Sequence, residues 1–528
     1  MATPLRLRTW ATAIGGAVAV AAAIAEYVDT ASLIEGVKTL IAAAIAVAVA
    51  GLAVTLPGIT RRGAVIGAFF VAAGVSTWTF TDRPVVIWAV LAVEGVVFVL
   101  WTRPWLARLK DVSRLGGAWL GLPYWLLGIV GAALVGHVVV AGERVAYAGV
   151  FTLAAMAVVA AVRRPAGKGG GDPSVGIAAA ILVAIAILLL AGSGSMFDVV
   201  HAVPHNTEAQ QMTDRFWGGT GLFFQPNALA GLAVVVALRI SPDRAFAWWQ
   251  RLATSGVACF VLFLTNSRTP WGVALIAAVV HAVMVWRWRR ADLPAYRRPW
   301  LAVLTPFVLL GLVLAISGGS DFIIKSRFSS APPPPTTSAP PTIGSGVTSG
   351  RTDTWKQVAT DWEHASVAEK IFGDARTSRA VVTRANDPGA ELNTDNAAVG
   401  AFRRGGVLGL VAFLFGVVLL VRRVFVRRSG GRGRSGGVAP PAWFTICALA
   451  LVPSIVLEDW LLGGTNGGIW IILLAGEACL LRPVADEPPA DLVGVGAGGP
   501  AGAGEPEGAG DATATTAWPA PASTPGAG

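Results

Sequence analysis

Charge is what this chain has least of. Asp, Glu, Lys and Arg make up 14% of its 528 residues, apolar side chains make up 54%, and the mean hydropathy is +0.63. A soluble protein could not hide so much apolar surface. Cysteine is nearly absent as well. Cys259, Cys447 and Cys479 all fall in apolar runs, which excludes a secreted-type disulfide framework and leaves them as small packing residues. No cleavable leader is expected: no small-x-small site precedes the acidic segment from Glu26 to Asp29, so the first apolar stretch reads as a retained span. No internal repeat is visible, which weighs against a transporter built from inverted halves. Acids inside the apolar runs come down to Glu94 and Glu477, with no Lys or Arg inside a span to match them.

What fills the chain is apolar sequence. A helix that crosses a bilayer needs about 20 apolar residues, and about 14 such runs are legible. They start near residues 9, 38, 63, 84, 117, 145, 174, 219, 250, 269, 300, 405, 442 and 465. The fold class expected is an all-α polytopic membrane protein. With the N-terminus inside, the inner loops carry Arg6 and Arg8, Arg61–Arg62, Arg103 to Arg114, Arg163 to Lys168, Arg239 to Arg251, Arg287 to Arg298 and Arg422 to Arg434. That is about 25 basic residues against about 5 in the short outer loops, the asymmetry that sets orientation. The net charge of +10 therefore reports topology and gives no reason to expect a nucleic-acid partner. Arginine far outnumbers lysine, and Ala and Gly are abundant, a usage that suggests a GC-rich bacterial genome.

One long polar segment breaks the pattern. Residues 318–404 hold 10 Lys/Arg against 9 Asp/Glu and fall on the outer side. Their first part, Ala331 to Thr342, reads APPPPTTSAPPT and is expected as extended polyproline-like chain. From Ser349 the pattern changes: Trp355, Val358, Ala359 and Trp362 recur at helical spacing and predict a short amphipathic helix. The remaining organisation is a scaffold of spans over 1–173, a transmembrane core over 174–317, further spans over 405–484, and a disordered inner tail over 485–528, rich in Ala, Gly and Pro.

Polar groups collect at the outer mouth of the core. Gln225, Pro226 and Asn227 enter the eighth span from outside; Pro226 is expected to kink that helix, and Asn227 at membrane depth needs a partner. Capping a broken turn or bonding a neighbouring helix would also satisfy it. Thr265-Asn-Ser-Arg268-Thr-Pro270 forms an outer hairpin, where positive-inside bias would remove an arginine. Arg268 could snorkel to lipid phosphate. It could equally be a fixed cation for a phosphate-bearing ligand, since guanidinium gives bidentate charge-assisted hydrogen bonds. Arg215, in the outer loop 196–218, falls at the same surface.

In that order the motifs resemble a known family. Gly221, Phe223, Pro226, Asn227 and Ala230, then Ser267-Arg268, then Gly350-Arg351 with Trp355, then Asp395-Asn396 and Gly406-Val-Leu-Gly409, are similar to the O-antigen ligase and O-antigen polymerase family over roughly residues 200–425. The resemblance implies a metal-independent, inverting glycosyltransferase with a C-type membrane fold and no cofactor. Such enzymes move a glycan from an undecaprenyl diphosphate donor to an acceptor hydroxyl of a glycan or lipid-glycan, with membrane lipids around them. Arg268 and Arg351 would hold the diphosphate with Arg215 helping, and Gln225, Asn227, Ser267 and Asn396 would bind substrate. Where the family commonly has histidine before the asparagine, this chain has Asp395. Either Asp395 replaces that histidine as base, or His364 or Glu391 serves, or the acceptor differs; an Asp at this place could also simply cap the next helix. Two rival readings are a transporter or flippase of lipid-linked glycans and a non-catalytic envelope scaffold.

Overall fold

Apolar runs of Ala, Val, Leu and Gly leave the backbone as their main polar group, and a helix satisfies every backbone donor and acceptor within one segment. A computed structural model describes residues 20–21, 24, 33–80, 83–103, 105–163, 172–193, 216, 218–219, 221–243, 245–265, 267–290, 351–373, 396–425, 442–456, 458, 460 and 467–480. Their helices are α1 (Leu33–Thr55), α2 (Arg61–Thr79), α3 (Pro84–Trp101), α4 (Trp105–Val112), α5 (Gly116–Gly121), α6 (Pro123–Leu134), α7 (Val138–Val162) and α8 (Pro173–Ala191). After a two-stranded hairpin, β1 (Gly218–Gly219) with β2 (Leu222–Phe223), come α9 (Pro226–Ile240), α10 (Trp248–Thr265) and α11 (Arg268–Arg290). The series ends with α12 (Arg351–His364), α13 (Val367–Phe372), α14 (Ala397–Phe425), α15 (Ala442–Leu451), a 3-10 turn (Val452–Val456) and α16 (Gly468–Leu480).

Among the described residues 5 helices are long and apolar enough to cross a membrane, and up to 6 if α3 and α4 form one bent span. Shorter apolar helices, α9 and α16 among them, pack inside the bundle. Val85, Leu100, Val139, Leu275 and Val418 are apolar and exposed, as side chains facing lipid are. This is a multi-pass membrane protein. All but residues 20, 21 and 24 of the run expected near 9, the run near 300, the Pro-rich strip and the tail from 485 lie outside the described residues.

Sequence sets the helix starts. Pro84, Pro123, Pro173 and Pro226 each open a helix, where the missing N–H would have had no partner. Pro226 therefore starts α9 instead of kinking it, and the residues before it form the small hairpin where the reading above placed helix. Thr60 accepts from Gly63 N at 3.2 Å to cap α2, and Asp172 accepts from Ser174 N at 2.8 Å to cap α8. Gly63, Gly67 and Gly176 then let α2 and α8 approach backbone to backbone.

The bundle has two chemically different ends. At one, α8, α9, α14 and α16 meet in a buried polar lattice. Arg239 reaches Asp172 at 2.9 Å and Asp243 at 2.8 Å, and Cys479 sits 3.6 Å from Asp172. Nearby, Glu477 accepts from Gly116 N at 2.6 Å and Gly117 N at 2.7 Å and pairs with Arg423 Nε at 3.0 Å. Glu477 thus has the cation that the sequence reading did not find for it. It neutralises the N-terminus of α5, a structural task. Removing that carboxylate takes the acceptor from two amides and the counter-charge from a half-buried guanidinium. Glu477→Ala is expected to cost about 3–5 kcal/mol, read as a lowered unfolding temperature in detergent. Glu94 is also buried, and neither of its oxygens has a hydrogen-bond partner among the described residues.

Candidate functional site

The opposite end gathers the motif residues. The hairpin before α9 is pinned to α2, since Phe223 N donates to Thr79 Oγ1 at 2.9 Å. Phe216 packs on Gly192 at the end of α8 and its N–H donates to Leu264 O at 3.0 Å. The ends of α2, α8 and α10 therefore frame the start of α9. There Gln225 is the N-cap residue in extended conformation and makes no side-chain cap bond. Asn227, in the first turn, donates from Nδ2 to Glu458 Oε1 at 2.9 Å.

Glu458 is a residue that sequence reasoning missed. It stands in Leu457-Glu-Asp-Trp460, between two apolar runs, and two adjacent acids there look like loop. In the fold it is buried, 2% exposed, and its N–H donates back to Ser454 O in the 3-10 turn at 2.8 Å. Trp460 is buried beside it, with its ring 3.0 Å from where a Cβ on Gly231 would stand. Asn227 and Gly231 lie one helical turn apart on one face of α9. Glu458 and Trp460 thereby meet that face, and the 3-10 turn before them packs against α11 and α14.

Ser267 and Arg268 open α11. Ser267 is fully buried, and its hydroxyl donates to Thr265 O at 3.2 Å. Asn396, also buried, caps α14, accepting from Val399 N at 2.9 Å. The cap considered for Asp395 is thus filled by the next residue. Arg351 opens α12, the helix expected from the tryptophan spacing. Arg215 and Asp395 lie outside the described residues. The structure therefore brings Asn227 to Glu458 directly, and packs α11 and α14 against the 3-10 turn that precedes Glu458.

The polar segment's second half is clamped to the bundle. Ser366 and Glu369 form a capping box that starts α13, and the chain ends that helix at Gly373, φ 103°. A Cβ there would lie 2.2 Å from the carbonyl of Arg404. One residue on from Gly405, α14 breaks at Gly406, φ 63° and ψ −160°, against the backbone of Ile371. The break is sharp. A Cβ on Gly409 would stand 2.7 Å from Ala401 O, whereas in an unbroken helix residues eight apart rise about 12 Å. Residues 397–405 are therefore a surface helix folded back on the span that follows. Between α12, α13 and this surface helix lies a cavity of about 240 Å³, lined by Asp361, Trp362, His364, Glu369, Phe402 and Arg403. Its floor is aromatic, with the Trp362 and Phe402 rings 5.5 Å apart.

Residues 253–414 match the family model of the O-Antigen ligase. The match supports the O-antigen ligase family, as the motifs suggested. It runs from α10 into α14, and so takes in Ser267, Arg268, Arg351, Asn396 and the Gly406 break. Asn227 precedes the O-antigen ligase stretch and Glu458 follows it, yet the fold returns both to it. No curated protein matches the chain. Among the described residues no three His, Cys, Asp or Glu side chains are grouped to share a metal ion.

Proposed function

We propose that this protein is a membrane glycosyltransferase that moves a glycan from an undecaprenyl diphosphate donor to an acceptor hydroxyl during cell-surface polysaccharide assembly. The observation that supports the reading is convergence: α11 and α14, both within the stretch matching the O-antigen ligase, pack against the 3-10 turn that precedes Glu458, the residue to which Asn227 is bonded. Arg268 and Arg351, with Arg215, hold the diphosphate. When the bond from the anomeric carbon to the diphosphate breaks, negative charge grows on the leaving group, and fixed guanidinium groups stabilise it. The acceptor oxygen enters from the opposite face, inverting the anomeric centre, and its proton passes to Asp395, His364 or Glu391. The chemistry asks no metal or cofactor of these residues. The cavity at Trp362 offers an aromatic face with carboxylates around it, a surface suited to a hydroxyl-rich ligand.

The bundle would hold about 14 spans in a C-type arrangement, in a bacterial plasma membrane, with both termini cytoplasmic and the polar segment outside. Orientation has a direct check. With Ser345→Cys and Ser429→Cys, a membrane-impermeant thiol reagent added to whole cells is expected to label position 345 and spare 429; the reverse pattern overturns the topology. The activity is tested by giving detergent-purified protein an undecaprenyl diphosphate glycan with an acceptor. Release of undecaprenyl diphosphate with a matching gain of acceptor-linked glycan supports transfer, and an unchanged donor refutes it.

A further inference from the structure

The hydrogen bond between Asn227 and Glu458 has a direction, and direction matters to a ligand. An ionised carboxylate only accepts, so the nitrogen of the amide must face it. The side-chain nitrogen of Asn227 is 2.9 Å from Glu458 Oε1, which turns the amide oxygen away from Glu458. Asn227 is only half-buried, whereas Glu458 is 2% exposed. The carboxylate is thus the fixed member and the amide the one that meets what enters. Glu458 is itself held: its N–H is bonded to Ser454, Trp460 two residues on is locked into the gap left by Gly231, and the turn behind it packs on α11 and α14.

We propose that Glu458 is a positioning residue that locks Asn227 with its carbonyl oxygen toward the substrate, so that Asn227 accepts a hydrogen bond from a sugar hydroxyl. This rests on the glycosyltransferase reading and sharpens it. A carbonyl oxygen repels a diphosphate and attracts a hydroxyl donor. Asn227 therefore belongs to the glycan part of the site, and the arginines to the lipid diphosphate part.

The test is to reverse or release the lock without deleting it. Glu458→Gln keeps the size and keeps a hydrogen bond, since an amide can face Asn227 with either end. A purely structural bond would be satisfied and nothing would change. The proposal expects KM for the glycan substrate to rise about fivefold or more with an unchanged unfolding temperature. Asn227→Asp alone sets two carboxylates face to face and is expected to lose activity and stability together. Asn227→Asp combined with Glu458→Gln restores a forced direction, because the new carboxylate can only accept, and KM should return toward the wild-type value. Wild-type KM in Glu458→Gln overturns the proposal, as does a double variant worse than both single ones. A wild-type protein that transfers no glycan overturns the glycosyltransferase reading itself and this inference with it.

Discussion

Arg268→Ala and Arg351→Ala are each expected to lower the rate of glycan transfer by about 30- to 900-fold, equal to a loss of about 2–4 kcal/mol of transition-state stabilisation. The reasoning is one of charge. The leaving diphosphate gains negative charge as its bond to the sugar breaks, so a fixed guanidinium gains more from the transition state than from the ground state. Loss should therefore appear in kcat as well as in kcat/KM. A rise in KM with unchanged kcat would mean that the arginine binds the donor uniformly and contributes nothing to bond breaking. Lysine should restore only part of the rate at either position, since it supplies the charge without the bidentate fork. Wild-type turnover in both alanine variants would remove this site. Arg268 opens the helix that follows buried Ser267, and Arg351 opens the helix that packs on α14.

Gly406→Ala is expected to be nearly as damaging, by a different route. Its φ of 63° with ψ of −160° belongs to a region that only glycine occupies freely, and a Cβ would stand 2.3 Å from the backbone carbonyl of Ile371. Backbone strain and overpacking together should cost about 2–6 kcal/mol. That energy would be relieved by letting α13 and the surface helix 397–405 come off the bundle. The expected results are a lower unfolding temperature, protease cleavage near residues 364–373, and loss of transfer. Gly142→Ala is the control: nothing lies within 4 Å of a Cβ there, and the change should be neutral or slightly stabilising. If Gly406→Ala keeps activity and stability, the clamp is not what holds the polar segment in place.

How much of this the sequence disclosed depended on whether a feature was local. Most helix positions up to α11 were legible because apolar runs and first-turn prolines are local signals, but α4 was read as part of a basic inner loop and α5 and α6 as one run; α12 was legible from Trp355, Val358 and Trp362. The sharp turn at Gly406 was only half legible. The glycines at 405, 406 and 409 are visible in the sequence, but positive φ and the fold-back of 397–405 depend on α13 arriving from another part of the chain. Pro226 was misread as a kink because the two-stranded hairpin before it has glycines and phenylalanines that also suit a span. Glu477 was left without a partner because Arg423 lies 54 residues earlier on another helix and meets it only in the folded bundle. Glu458 escaped for the same reason. Its partner Asn227 is 231 residues away, and an acidic pair between two spans carries no local mark of burial.

The central claim is that the group of residues around Asn227 breaks and remakes a glycosidic bond. Proteoliposomes carrying the full chain, with the lipid-linked glycan donor in the bilayer and an acceptor glycan outside, test it most directly. The account predicts that undecaprenyl diphosphate accumulates while the acceptor gains the donor's glycan, and that Arg268→Ala and Arg351→Ala depress both together. Donor that crosses the bilayer with its glycosidic bond intact, and an acceptor that never grows, would contradict it.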